Sequence, residues 1–302
     1  MKNFARYLVY TNIFIGACAA ALTAETYTVL GLPLALYWYI LLLFLSTVFV
    51  YSLHYYAKLK KPDSKEDQRL RWYFYHRRLL PVMIVSSAIL IAGGVLFHAN
   101  AIFFPGGTFS WLNLSCFILV PLLSLAYSHP FRLFRSDKKT TLRQFGLLKL
   151  LLLAFTWAFT TTILPVIMLA PGALAAHPLL LPLFIQHFVF IGALSVLFNV
   201  RDYEEDKRDH IRTLAVVLGP ATTLRKAGRL AVLVNTVVNG WLLWNMHTWS
   251  EWLVAALFIP VILLWLGFNN FPEDADESLF IIRFDGLMIL KAALLIFAVA
   301  RF

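Results

Sequence analysis

The chain has 302 residues, 60% of them apolar and only 14% charged, with a mean hydropathy of +0.74. A soluble domain is about 45–50% apolar and about 25% charged, so both departures point to a surface that faces lipid. The formal net charge of +10 comes from basic residues in short loops between long apolar runs, where membrane topology explains it better than nucleic acid does. Cys18 and Cys116 lie inside apolar runs without metal-ligand spacing, which argues against a disulfide scaffold or a zinc site.

Residues 1–10 carry two basic side chains ahead of an apolar stretch with no convincing small-residue cleavage site, so a first membrane span is expected rather than a signal peptide. A spanning helix needs about 20 apolar residues. Runs of suitable length fall at 8–29, 32–55, 79–98, 111–128, 146–170, 179–199, 229–247, 251–268 and 285–301. The expectation is an all-α integral membrane protein of about nine transmembrane helices, forming one polytopic domain over residues 1–302. Gly31 to Pro33, Pro105 to Gly107, Pro171-Gly172 and Pro178 punctuate the breaks, and Pro165 predicts a kink near the end of the fifth run.

Ionisable residues within the runs are functional candidates. Glu25 falls near the outer end of the first span and is expected at the interface. His54, at the inner end of the second, reads as a packing residue. Lys149 near the inner end of the fifth is placed to snorkel. Gln186 and His187 lie within the sixth and are candidates to face a cavity. Lys291 sits deep in the ninth with no partner evident in the sequence.

Lys and Arg set orientation. Segments 57–78, 128–143 and 200–229 carry eight, five and seven of them, twenty of the 26 in the chain, whereas 99–110, 171–178 and 247–251 carry none. With nine spans this places the N-terminus in the cytoplasm and the C-terminus outside, the arrangement of a bacterial inner-membrane protein. The stretch 269–284 departs from the pattern, with Glu273, Asp274, Asp276 and Glu277 against Arg283.

The stretch Asn199 to Asp209, NVRDYEEDKRD, carries the chemistry. If the sixth helix continues through it, Asn199, Asp202 and Asp206 stand at i, i+3 and i+7 on one face, with Asp209 close to the same stripe. Two carboxylates one turn apart over an amide offer oxygen ligands to Mg²⁺, which is commonly held by one or two carboxylates plus substrate phosphate oxygens. The competing reading is a solvated helix end screened by Arg201, Lys207, Arg208 and Arg212, and spacing alone does not choose between the two.

The stretch Asn199 to Gly219, with its N-x-x-D-x-x-x-D core and the tail Thr213 to Gly219, resembles the second aspartate-rich motif of the UbiA superfamily of intramembrane prenyltransferases. The branch that prenylates dihydroxynaphthoate in menaquinone synthesis is the most similar. Tyr127-Ser128, the basic loop behind them, Lys149 to Pro165 with Trp157, and the nine expected spans agree with it. The resemblance implies a UbiA-like bundle around a central cavity. It further implies Mg²⁺ on Asp202 and Asp206, the catalytic pair, with Asn199 in support and Arg132, Arg135, Lys138 and Lys139 as diphosphate contacts. The reaction implied is transfer of a prenyl group from a prenyl diphosphate to an aromatic or other lipophilic acceptor. Charge on the departing diphosphate would be stabilised by metal and cations.

The sequence departs from the family where an earlier aspartate-rich motif, N-D-x-x-D-x-x-x-D, meets the cytoplasm. Tyr51 to Lys60 contains no carboxylate there, and Asp63 and Asp67 follow only after Pro62. Lys58 and Lys60 are placed to pair the phosphates directly instead. His210 stands where the second motif usually has glycine. The alternative is therefore a catalytically inactive UbiA-fold protein that binds isoprenoid or acts as an assembly partner. A transporter would call for paired charges at mid-membrane or an internal repeat, and the sequence displays neither clearly.

Overall fold

The computed structural model describes residues 2–33, 37–59, 68–104, 107–128, 146–169, 177–272 and 275–301. Among these there is helix and no strand. The chain opens with α1 (Lys2–Tyr10) and α2 (Ile13–Val29), bent by 69° at Asn12. Then come α3 (Tyr37–Lys58), α4 (Gln68–Tyr75), α5 (Leu79–Phe97), α6 (Ala99–Phe103) and α7 (Trp111–Ser128). α8 (Gly146–Ala158) runs through a π turn (Phe159–Ile163) into α9 (Leu164–Leu169). α10 (Leu180–Arg201) is followed by three short helices, α11 (Tyr203–Arg208), α12 (Leu214–Leu218) and α13 (Pro220–Thr222), and a second π turn (Thr223–Ala227). The last four are α14 (Gly228–Asn245), α15 (Glu251–Asn269), α16 (Glu277–Phe284) and α17 (Gly286–Val299).

Each of the nine apolar runs is helical where described, yet five helices among the described residues are long and apolar enough to cross a membrane, or six if bent α1–α2 counts as one span. The five are α3, α5, the α8–α9 unit, α10 and α15. The shortfall from nine has local causes. α2 and α17 are 17 and 14 residues long, below the length a bilayer core requires. α14 carries Arg229, Asn235, Asn239 and Asn245 among its 18 residues.

Burial sorts the helices into inner and outer ones. α10 buries 14 of its 22 residues, as expected of a helix apolar all round. α3 and α5 bury only 11% of their apolar windows and turn Leu41, Val82, Ile89, Leu90 and Phe97 outward. So large an apolar surface is a liability in water and is the ordinary exterior of a helix in lipid. Neighbours adjoin in the order α5, α3, α2, α17, α15, α14, α10, α8. The largest core lies between α2, α8, α10, α15, α16 and α17, around Leu22, Phe190, Leu197, Leu264 and Phe284.

Three expectations about ionisable residues are corrected. Glu25 is not interfacial: it is 0% exposed and lies 2.5 Å from Lys291 Nζ and 3.4 Å from His187 Nε2. Lys291, deep in α17, thus has a partner 266 positions away. Lys149 does not snorkel; it turns inward onto Asp206. His187 is fully buried, with the hydroxyls of Thr161 and Thr162 at 3.0 and 2.9 Å from its Nδ1. Glu25, Lys291 and His187 line neither chamber described below, whereas Lys149 borders the first.

Candidate functional site

The helical register carries from α10 into α11 with one loosened residue. Asp202 N donates to Phe198 O at 2.9 Å and Asp206 N to Asp202 O at 2.8 Å, so Asn199, Asp202 and Asp206 share a face. α11 then stops in a Schellman arrangement: Ile211 N donates to Asp206 O, and His210 N to Lys207 O. This geometry needs a left-handed residue at position 210, and His210 has φ 55. Glycine adopts that conformation without the Cβ penalty, so His210 stands at a position whose backbone favours glycine.

Three acids of the motif each hold a cation. Arg201 Nε donates to Asp202 Oδ1 at 2.8 Å. Lys149 Nζ, from α8, lies 3.1 and 3.3 Å from the two oxygens of Asp206, which is 0% exposed. Lys58 Nζ, at the end of α3, lies 3.0 Å from Glu205. Burial opposes ionisation of Asp202, but Arg201, then Lys149 and Lys58, outweigh it and hold its carboxyl below the ordinary carboxylate value.

α8 reaches the motif because Gly146 has no side chain. A Cβ there would lie 1.8 Å from the carbonyl oxygen of Arg212. The tail of the motif is thus the seat of α8, with Thr213 and Ala215 fully buried against it.

Asn199, Arg201, Asp202 and Lys149 border a chamber of about 180 Å³ whose remaining walls come from α1–α4, α16 and α17. Two donors at its edge, Asn199 Nδ2 and Arg201 Nη1, are buried without a hydrogen-bond partner among the described residues, an arrangement that costs stability unless something accepts from them. Arg69 of α4 is 4% exposed and fully engaged. It donates to Tyr73 Oη (3.3 Å), Tyr55 Oη (2.8 Å), Val9 O (3.0 Å) and Asn12 Oδ1 (2.7 Å), over the Tyr55 ring. Burial works against its charge, but Tyr55, Tyr73 and Glu277 raise its pKa above the ordinary value. Arg69 is accordingly a strut that fixes the kink at Asn12 (φ 60). Asp285, between α16 and α17, also lines the chamber.

A second chamber, of about 640 Å³, lies between α3, α5, α7, α8 and α9, and its lining is almost wholly apolar. Tyr51 and Trp157 belong to both chambers. A chamber with two orphan donors at its edge thus shares two aromatic residues with a larger apolar one.

The fit of Mg²⁺ can be tested on the donor set. Among the described residues no group of three or more His, Cys, Asp or Glu side chains is arranged to hold a metal. Asn199 and Asp202 stand on the chamber wall and suit an ion that completes its shell with phosphate oxygens and water. Asp206 joins them only if Lys149 leaves it.

Of the residues singled out in the sequence, the structure brings Asn199 and Asp202 to the chamber, keeps Asp206 behind Lys149, and sets Lys58 on Glu205. His54 packs edge-on against Tyr55 at 5.5 Å. Lys60, Asp63, Asp67, Arg132, Arg135, Lys138 and Lys139 lie outside the described residues. Sequence reasoning missed Asn12, Arg69 and Asp285. Only Asp285, a carboxylate opening the ninth apolar run, leaves a signal to find it by. Comparison of the chain with protein-family models, with curated proteins and with solved structures gives no match to any of them.

Proposed function

We propose that this chain is an intramembrane prenyltransferase of the UbiA type, moving a prenyl group from a prenyl diphosphate to an aromatic or other lipophilic acceptor. The observation that carries the reading is the pair of adjoining chambers. One offers Asn199 Nδ2 and Arg201 Nη1 to an anionic head, and the other offers about 640 Å³ of apolar space to a long tail. An allylic diphosphate has both halves, and the likeness of Asn199 to Gly219 to the second aspartate-rich motif narrows amphiphiles to that class. Since the chamber opens among the basic segments, the reading puts it at the cytoplasmic surface.

In this mechanism Asn199 and Arg201 donate to diphosphate oxygens and orient the head, while Lys149 of α8 adds a positive charge at the chamber wall. Mg²⁺, held by Asn199 and Asp202 with phosphate oxygens, would neutralise charge on the leaving group. The Trp157 and Tyr51 rings at the junction exclude water from C1 of the chain and present their faces to its developing positive charge. The diphosphate leaves with the electron pair of the C1–O bond, and the acceptor's nucleophilic atom takes C1.

Calorimetry of the purified protein with geranylgeranyl diphosphate tests this. Binding is expected to weaken about tenfold or more on chelation of Mg²⁺ or in Arg201→Met, the loss of one charge-assisted contact. Uptake that neither Mg²⁺ nor Arg201 affects overturns the proposal.

A second reading, a non-catalytic isoprenoid binder, draws on the three cations already seated on Asp202, Glu205 and Asp206. It predicts binding without Mg²⁺ and no product with any acceptor.

A further inference from the structure

Asp285 is the one carboxylate on the chamber wall with no partner among the described residues. It is 8% exposed and lines the chamber that α10 also borders. Its side chain makes no cap to α17, and Cys18 Sγ approaches only its main-chain oxygen. The cations that act on it are Arg201 and Arg69. Arg201 gives its Nε to Asp202 and does not hydrogen-bond Asp285 through its unpaired Nη1, and the donors of Arg69 go to Tyr55, Tyr73, Val9 and Asn12. A carboxylate so placed on the chamber wall is open to a donor from a ligand.

Two features of the surroundings select the donor. Arg69, Lys149 and Arg201 outnumber Asp202 and Asp285 around the chamber, so an ammonium is disfavoured and a neutral O–H group suits. Phe14, Tyr51, Tyr55, Trp157 and Phe198 supply aromatic side chains on the same walls, which suit a flat aromatic body.

We infer that Asp285 is the acceptor-binding residue, taking the hydroxyl of a phenol-type ring and, in turnover, its proton. The inference rests on the reading of the chamber as a prenyl-transfer site. The O–H electron pair enters the ring as the proton passes to Asp285. The ring carbon bonds to C1 while the C1–O bond breaks toward the diphosphate, and the proton displaced from that ring carbon restores the hydroxyl. One proton is released in all, and it leaves on Asp285.

Binding of 1-naphthol and of 1-methoxynaphthalene to the full chain in detergent, with neither diphosphate nor Mg²⁺ present, tests Asp285 apart from the wider proposal. The native protein is expected to prefer the naphthol by about tenfold or more. Asp285→Leu should lose that preference while still binding the methyl ether, which also reports that the variant is folded. Asp285→Asn, a neutral acceptor of the same shape, should keep a preference reduced at least threefold. Equal binding of the two compounds by the native protein, or an undiminished preference in both variants, overturns the inference. Absence of diphosphate binding, by contrast, would sink the transferase reading and leave the naphthol preference standing.

Discussion

At the scale of single residues, Glu25 and Lys291 show what a hydropathy reading misses. Each falls in an apolar run, and 266 positions of chain separate them. Nothing linear reveals that α2 and α17 lie side by side, so Glu25 looks interfacial and Lys291 looks stranded. In the fold both are within 1% of full burial and each neutralises the other. Removing one partner leaves a bare charge in an apolar interior, at a cost of about 3–5 kcal/mol, whereas replacing both with apolar or neutral groups of similar volume is often neutral. Glu25→Gln and Lys291→Met should therefore each lower the melting temperature of the detergent-solubilised protein substantially, and the double variant should recover most of the loss. Additive losses in the double variant would mean the pair contributes no coupling. Neither chamber touches this pair, so the double variant should bind diphosphate as the native chain does. Asp202 is the opposite case: its partner Arg201 is the adjacent residue, a pairing the linear sequence displays.

Whole elements were legible in proportion to their length. The apolar runs mark every long helix, because about 20 apolar residues without a break have few other solutions. What composition could not supply is where a helix bends and what it leans on. Pro165 lacks an N–H and crowds the carbonyl four residues earlier. The structure answers with a π turn over Phe159–Ile163 rather than a simple kink at the proline, and that turn sets Thr161 and Thr162 together on His187. The seat of α8 was likewise hidden. Gly146 reads only as the start of the fifth apolar run, yet its bare Cα is what lets the Arg212–Thr213 backbone approach. Gly146→Ala forces backbone apart from backbone, and overpacking of this kind costs about 1–3 kcal/mol or more. It should lower the melting temperature. By carrying Lys149 away from Asp206 it should also weaken diphosphate binding, although residue 146 touches no ligand. A variant with reduced stability and native affinity would show that α8 is not what positions the site.

For the molecule as a whole, burial and charge give independent accounts of how it meets its surroundings. α3 and α5 are apolar and nearly unburied, and Leu230, Leu233, Val237 and Trp244 make a similar outer face on α14. The basic segments gather at the chamber end: Lys58 closes α3, Arg201 closes α10, and Arg225 and Lys226 precede α14. If cytoplasmic placement of Lys and Arg orients the chain, residues on either side of α14 must lie on opposite membrane surfaces, since one helix separates them. Lys207 and Glu251 are both exposed and occupy those two sides. The native cysteines, Cys18 and Cys116, are 0% and 8% exposed and should stay silent toward a membrane-impermeant maleimide. Lys207→Cys is then expected to react in inverted vesicles only, and Glu251→Cys in right-side-out vesicles only. Reaction of both from one side would mean that α14, with its three asparagines and an arginine, lies along the bilayer instead of through it. Reaction of each from the side opposite to expectation would keep the crossing but reverse the orientation, and the chamber would then open away from the cytoplasm, where prenyl diphosphates are made from soluble precursors.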